Sequence, residues 1–410
     1  MEHLIHFGDR ENSLYLAAKE GNLDIIIQHV EIDPKIINSL DEDLQSPLLI
    51  ACSQGHFKIV KYLVELGAEV TISDKSGCTP LIKAIIGGHI TIVQFLLIKG
   101  ADINKAENSG LTPFLVSCAS GHLDIAIYLR DNRADIYKSE NNGYTPIILA
   151  SGGGHLEVVK YLKDTGVDIN TPSKNGFTAI FTASGAGHLD VVMYLEQSGA
   201  EIDIASCKGS TPFYIACVNG HLDIVKYLKN TGADIEKPDN NGLTPLHAAV
   251  GAGQSSIKVF AFLIYSGCDI TKKDKNNRTP LDYSRRDPIE FLHSIISQYW
   301  HETMFHKAVY HNDISLLRTL LDDDGSNKLI NAVGKNAWTP LHYASFFNRT
   351  EAAEILLESG ADPTLTDFNK QQTALHIATS RGNFEIVRLI NKFSNNTRRC
   401  TNSFRHIAKV

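Results

Sequence analysis

Six histidines stand directly behind a glycine, at Gly-His pairs 55–56, 88–89, 121–122, 154–155, 187–188 and 220–221. Imidazole is the commonest protein ligand for transition metals and a ready proton carrier, so a recurring row invites both readings. Zinc, however, holds each ligand nitrogen at about 2.0–2.1 Å. Equivalent atoms in stacked helical units lie roughly 8–10 Å apart, too far to share one ion. These histidines therefore read as polar residues that open a helix and bond loop backbone, and no metal is expected. His247, His342 and His376 have the same status.

Gly152-Gly153-Gly154 and Gly185-Ala186-Gly187 are rich enough in glycine to suggest a phosphate cradle. They lack the Lys-Ser/Thr that such a loop needs and do not follow a buried strand, so they read as helix terminators. No Ser/His/Asp or Cys/His set can be assembled from the sequence. The expectation is a chain that is not an enzyme, with no cofactor and no small-molecule substrate. The seven cysteines are odd in number and include no CxxC pair. Cys52, Cys118 and Cys217 recur at one place in the pattern, beside Ala51, Ser117 and Ala216. Small buried thiols, reduced in an intracellular compartment, fit that spacing.

The elements that carry these residues repeat. Ser46-Pro47-Leu48, Thr79-Pro80-Leu81, Thr112-Pro113-Phe114, Thr145-Pro146-Ile147, Thr178-Ala179-Ile180, Thr211-Pro212-Phe213 and Thr244-Pro245-Leu246 begin at one constant step of 33 residues. The Gly-His pairs keep the same step. Thr is a good N-cap, and Pro suits the first helical position because its missing N–H has no partner there anyway. Thr211–Val218 thus reads as a short first helix, broken at Gly220, and His221–Lys229 as a second. Leu222, Ile224, Val225 and Leu228 give that second helix an apolar stripe. Asp223 and Lys226 are placed for the helix dipole and a weak surface pair. Gly232 ends the helix in the left-handed region, and an extended turn leads to the next Thr. Neither helix is long enough to stand alone, so stacking must supply the core.

A 33-residue step with Thr244-Pro245-Leu246-His247-Ala248-Ala249 resembles the ankyrin repeat. The resemblance covers about 12 to 393 and implies about 11–12 units. The expected fold is an all-α repeat solenoid of helix-turn-helix units joined by β-hairpin-like turns. The resemblance also implies that Asn104 and Asn170, each ending Asp-Ile-Asn with Leu96 and Leu162 eight residues before, match a site read by an asparaginyl hydroxylase. The competing reading is that each Asn bonds its own turn backbone.

The totals agree with an interaction protein. The chain has 410 residues with a formal net charge of −7. Its pI near 6.2 argues against a nucleic-acid surface. Leu81–Ile98 is the most apolar stretch, but Lys83, Gly87, Gly88, His89 and Gln94 interrupt it. A membrane helix needs roughly 20 nearly unbroken apolar residues, so no membrane insertion is expected. Met1–Arg10 shows no secretory pattern, and a cytoplasmic location is expected.

Domain boundaries follow from breaks in the pattern. Residues 1–45 read as an N-terminal capping repeat, in which Asn12–Gly21 carries polar replacements at the Thr-Pro step. Residues 46–300 form the main array, 301–393 a second, shorter array, and 394–410 a polar, basic tail. Two extra residues near Gln254-Ser255-Ser256 lengthen the eighth unit. The ninth lacks Gly-His, has Pro288 in the glycine place and continues into an apolar helix at Phe291–Trp300. Met304–Leu321 resembles a second cap.

In ankyrin-like stacks a partner lies along the concave surface of turn tips and first helices. The residue before each Thr and the seventh and eighth after it are then the candidates. Carried over by position, this nominates Leu111, Tyr144, Phe177 and Leu243, with Trp338, Phe346 and Phe347 as a second patch. Exposed aromatic side chains are typical anchors. The alternative is that these side chains shield the neighbouring unit. The reading is a scaffold or adaptor for a partner protein. The alternatives are a structural or self-associating spacer and a targeting subunit of a complex such as a ubiquitin ligase.

Overall fold

The computed structural model describes residues 7–252, 256–266, 268–270, 272–284, 304–322, 330–333, 338–367 and 371–394. Pro288, Phe291–Trp300 and the tail from 395 lie outside the described residues. Two compact units divide the chain, Met1–Tyr283 and Ser284–Val410. Each is an all-α stack of helix pairs, and the fold is an all-α repeat solenoid.

In the first unit, the first helices are Pro47–Gln54, Pro80–Ile86, Pro113–Ala119, Pro146–Gly152, Ala179–Ala186, Pro212–Asn219 and Pro245–Gly251. Ser46, Thr79, Thr112, Thr178, Thr211 and Thr244 cap them, each side chain accepting the N–H three residues on. Thr145 makes no such bond, and its hydroxyl is buried without a partner among the described residues. The opening helix spans Phe7–Glu20.

The second helices are Phe57–Glu65, Ile90–Ile98, Leu123–Asp131, Leu156–Asp164, Leu189–Gln197, Leu222–Asn230 and Ile257–Tyr265. Ile224, Val225 and Leu228 are fully buried, as the stripe predicts, whereas Leu222 at the start of the helix is half-buried. Burying each such side chain is worth about 1.5–3 kcal/mol. Gly232 takes φ 101°, the left-handed value expected of it, and Gly220, which ends the first helix, is also left-handed at φ 79°. The expected Asp223–Lys226 pair is replaced. Asp223 accepts the Ile224 N–H at 2.9 Å, and the Lys226 ammonium lies 5.9 Å from the Phe262 ring of the next unit.

Three sets of contacts stitch neighbours together. Each Gly-His imidazole meets a first-helix carbonyl of the preceding unit, such as His155 Nε2 to Ala119 O at 2.9 Å and His221 Nε2 to Gly185 O at 3.1 Å. The imidazole also lies against the preceding unit's glycine: a Cβ on Gly55 would fall 2.5 Å from His89. Turn tips form a ladder, with the N–H of Asn108, Asn141, Lys174, Cys207 and Asn240 donating to Ser76, Ser109, Asn142, Asn175 and Lys208 carbonyls at 2.9–3.0 Å. Asn104 Oδ1 accepts the Asp135 N–H at 2.9 Å, and Asn170 Oδ1 the Glu201 N–H at 3.0 Å. These asparagines bond the next unit rather than their own turn, whose N–H bonds go to Asp102 and Asp168 instead.

The second unit contains Met304–His311, Ile314–Asp322, Pro340–Phe346, Thr350–Glu358, Ala374–Ser380 and a helix at 384–394. Its core gathers Phe305, Val309, Leu317, Leu341, Leu356 and Ile386. Where Gly-His is missing, other donors reach back. In the first unit Ser256 Oγ donates to Val218 O at 3.1 Å, and in the second Asn383 Nδ2 donates to Ser345 O at 2.7 Å.

Candidate functional site

The residue before each capping Thr closes a short hairpin by two reciprocal bonds. Glu140 N–H donates to Tyr144 O at 3.2 Å, and the Tyr144 N–H donates to Glu140 Oε1 at 3.0 Å. Glu107 with Leu111, Ser173 with Phe177 and Asp239 with Leu243 repeat the arrangement. Asp74 and Asp274 do the same for Cys78 and Arg278. This clamp fixes the candidate side chains to a rigid tip. The clamp residues had escaped the sequence reading. Their signal was a polar residue five places before each Thr, repeated at the same step.

Three of the clamp carboxyls, Asp74, Glu107 and Asp274, are lowered below their usual range. Burial alone would raise the Glu107 carboxyl, but bonds from the Ser109 hydroxyl and from Ser109 and Leu111 N–H bring it below its usual range. At Asp274 burial again opposes ionisation. The Tyr283 hydroxyl, the Arg278 and Asn276 N–H groups and the Arg278 charge outweigh it and take the acid to about 2.

None of the seven nominated side chains is exposed as expected; all are half-buried. For Tyr144 one cause is contact across the boundary between units. The Tyr144 and Phe177 rings meet edge-on with centroids 6.3 Å apart, and Phe177 stacks on Phe181 at 4.7 Å. Leu111 and Leu243 occupy the same place on their own tips. Burial, then the Glu140 charge, raises the Tyr144 phenol, which stays neutral.

The structure brings the second patch together as well. Trp338 lies 5.1 Å from Phe346 and stacks on His342 at 6.2 Å. Phe346 and Phe347 meet at 5.0 Å, and Tyr310 packs on Phe347 at 4.8 Å. The Arg381 guanidinium covers Phe346 at 3.7 Å while its Nε donates to Phe346 O. Trp338, Phe346 and Phe347 form one cluster in the second unit, and Tyr144 and Phe177 another in the first.

Some of the tip's surroundings are open. Gly152 and Gly251 close their helices without a positive φ, and a Cβ there would meet only Thr182 Cβ at 3.8 Å and nothing within 4 Å, respectively. Glycine in a helix costs roughly 0.5–1 kcal/mol relative to alanine, and neither backbone nor packing demands it at these two places. Gly87 and Gly153 differ, because a Cβ on either would collide with the imidazole of its own unit.

The cysteines are structural in character. Cys52, Cys118 and Cys217 are completely buried, and burial pushes the Cys118 thiol up to about 12. Cys207 is exposed on a turn tip. Among the described residues no cluster of His, Cys, Asp and Glu could hold a metal ion. No described helix is long and apolar enough to cross a membrane.

Comparison with known proteins agrees with this geometry. The family profile of ankyrin repeats in three copies matches residues 14–107, 72–140, 115–206, 195–274 and 284–367, and a single-repeat profile matches 370–399. An ankyrin repeat-containing protein of Schizosaccharomyces pombe, P1E11.10, is 35% identical over 69 residues, 16% of this chain and 32% of the relative. NF-kappa-B inhibitor alpha of Sus scrofa is 35% identical over 82 residues, 20% of this chain and 26% of its own length. The NAD-capped RNA hydrolase NUDT12 of Macaca fascicularis is 35% identical over 88 residues, 22% of this chain and 18% of its own. The chain thus spans a third or less of each of these relatives. Repeats matched from end to end, with caps, turns and imidazoles in one register, place the chain in the ankyrin-repeat family.

Proposed function

We propose that the chain is a protein-interaction scaffold or adaptor that binds a partner segment along the concave face of its turn tips and first helices, without a cofactor. Ankyrin repeats generally serve protein–protein interaction, and one relative is named as an inhibitor of another protein. The observation that carries the reading is the clamped row Leu111, Tyr144, Phe177 and Leu243, half-buried and fixed by backbone bonds. Rigid, partly desolvated aromatic side chains lose little entropy when a partner covers them.

Tyr144→Ala with Phe177→Ala tests this. Partner affinity should fall about tenfold or more, near 1.4 kcal/mol, while the melting temperature drops only a few degrees. Tyr144→Leu with Phe177→Leu, which preserves apolar packing, should show the same direction of binding loss with less effect on stability. Undiminished binding by both doubles would remove the assignment.

Self-association is the second reading, and one observation favours it. Phe384 in the last described helix is 80% exposed, the most exposed of the large apolar side chains among the described residues. Mass rising with concentration in light scattering, and abolished by Phe384→Ser, would support a homotypic contact there.

A further inference from the structure

The last described helix pair, Ala374–Ser380 with the helix at 384–394, shows what stacking hides elsewhere. Counting from the capping Thr, the second residue is fully buried at Leu81, Phe114, Phe213 and Leu341, but Leu375 is only half-buried. The third is fully buried at Ile82, Leu115, His247 and His342, and the sixth at Cys118, Ser151, Cys217 and Ser345. Their counterparts His376 and Thr379 are exposed. These three places are the ones that a following unit closes, and on this helix they stand open. Ala374, Ile377 and Ala378 are buried all the same, so the first, fourth and fifth places face inward.

His376 specifies what should meet it. The Thr373 N–H donates to His376 Nδ1 at 3.1 Å, which leaves Nε2 as the ring's donor. His247 and His342 are held in the same way. Each donates from Nε2 to the carbonyl just before the next cap, Arg278 O and Gln372 O, at 3.2 Å. A matching occupant is a capped helix with a carbonyl immediately ahead of its cap.

The sequence past residue 394 contains such a pattern. Ser403-Phe404-Arg405-His406-Ile407-Ala408 repeats Thr373-Ala374-Leu375-His376-Ile377-Ala378, with Ser for Thr at the cap and His-Ile-Ala unchanged. Its inward places hold Phe404, Ile407 and Ala408, all apolar. Its second, third and sixth places hold Arg405, His406 and Lys409. In the helices compared above, neither the second nor the sixth place carries a charge. A stack can stop only on a unit whose far side is polar, and this segment has that side. Eight residues, 395–402, precede it. Extended, eight residues reach about 26 Å, ample for the step of roughly 8–10 Å between stacked helices.

We propose that residues 403–410 dock on the open side of Ala374–Ser380 as a half-unit that closes the stack, with His376 Nε2 donating to Asn402 O. Phe384 stays outside this contact. Its counterpart Phe57 is met by Phe95 of the next unit's second helix, an element that residues 403–410 do not include. The contact is independent of the binding role proposed above.

Hydrogen exchange of the full chain, read by mass spectrometry over residues 371–383, tests the contact. Phe404→Asp with Ile407→Asp, at the inward places, should speed exchange in Ala374–Ser380 about tenfold or more. Arg405→Gln with Lys409→Gln, at the outward places, should leave it unchanged. Thr379→Lys should speed exchange in the native chain yet add nothing in the Phe404→Asp, Ile407→Asp background, as two changes to one contact do. Light scattering on the same samples should give one mass at all concentrations. Equal exchange in every variant, or additive effects of the two sets of substitutions, would overturn the inference. Protection that grows only as mass rises with concentration would overturn it too, and would assign the open side to a second copy of the chain.

Discussion

At the scale of the residue, the Gly-His imidazoles and His306 differ in what surrounds them. The Gly-His imidazoles sit at the edge of a helix pair and spend one nitrogen on a neighbour's carbonyl. His306 instead is fully buried, donating to Trp338 O at 2.9 Å beside the Tyr343 ring. Burial pushes its imidazole down to about 4, and nearby His342 is lowered by burial as well. Both bind a proton more readily when unfolded. Their contribution to stability is complete above about pH 6.5, and it is lost as pH falls toward 4. For His306 the shift corresponds to roughly 3 kcal/mol. The second unit should therefore lose stability between about pH 6.5 and 4, followed by Trp338 fluorescence, and His306→Gln should flatten that dependence. A midpoint that does not move with pH would refute the assignment. The six Gly-His positions and their role in opening the second helix were legible from spacing alone. His306 was not, because its environment is made by Trp338 and Tyr343 from a different helix pair.

At the scale of the element, a repeat is held by groups that serve two units at once. Gly88 takes φ 73°, and a Cβ there would lie 2.7 Å from the His122 imidazole of the next unit. Gly88→Ala should thus cost more than the 1–2 kcal/mol of a left-handed alanine, because the imidazole must also move. Gly251→Ala, with open space and ordinary φ, should be neutral or stabilising. Chemical denaturation of the two variants checks the contrast, and equal losses would contradict it. The second helices carry a further row that the sequence reading passed over: Tyr62, Phe95, Tyr128, Tyr161, Tyr194 and Tyr227, again at a step of 33. Each is half-buried, and the preceding unit reaches several of them: Arg130 lies 5.2 Å from the Tyr161 ring, and Glu196 accepts the Tyr227 hydroxyl at 2.7 Å. An aromatic side chain at helical spacing reads as core in a sequence; its place in the seam between units is visible only once the units are stacked.

At the scale of the whole molecule, each unit is a one-dimensional array, in which stability is a sum of repeats and nearest-neighbour contacts. Because the turn ladder, imidazole and cap recur at one step, a whole period can be removed without leaving a broken bond. Deleting residues 145–177 joins Tyr144 to Thr178, restoring a tip-to-cap junction. This variant should keep its helical circular dichroism per residue and melt cooperatively at a lower temperature. Deleting half a period, 145–160, should unfold the array around it. Loss of helical signal in the full-period deletion would show that the units are not interchangeable.

The sequence by itself determined the fold class, the length and capping of the helices, and the glycine positions. All of these follow from local rules: a Thr hydroxyl reaches an N–H three residues on, and glycine alone enters the left-handed region cheaply. It also placed Leu111, Tyr144, Phe177 and Leu243 at equivalent sites, since one step carries every residue to the same place in its unit. Only the tertiary structure decided how far those side chains are buried and what Asn104 and Asn170 bond. Each of those depends on atoms about 33 positions away, brought within reach by stacking, and no local propensity records a distance across that gap.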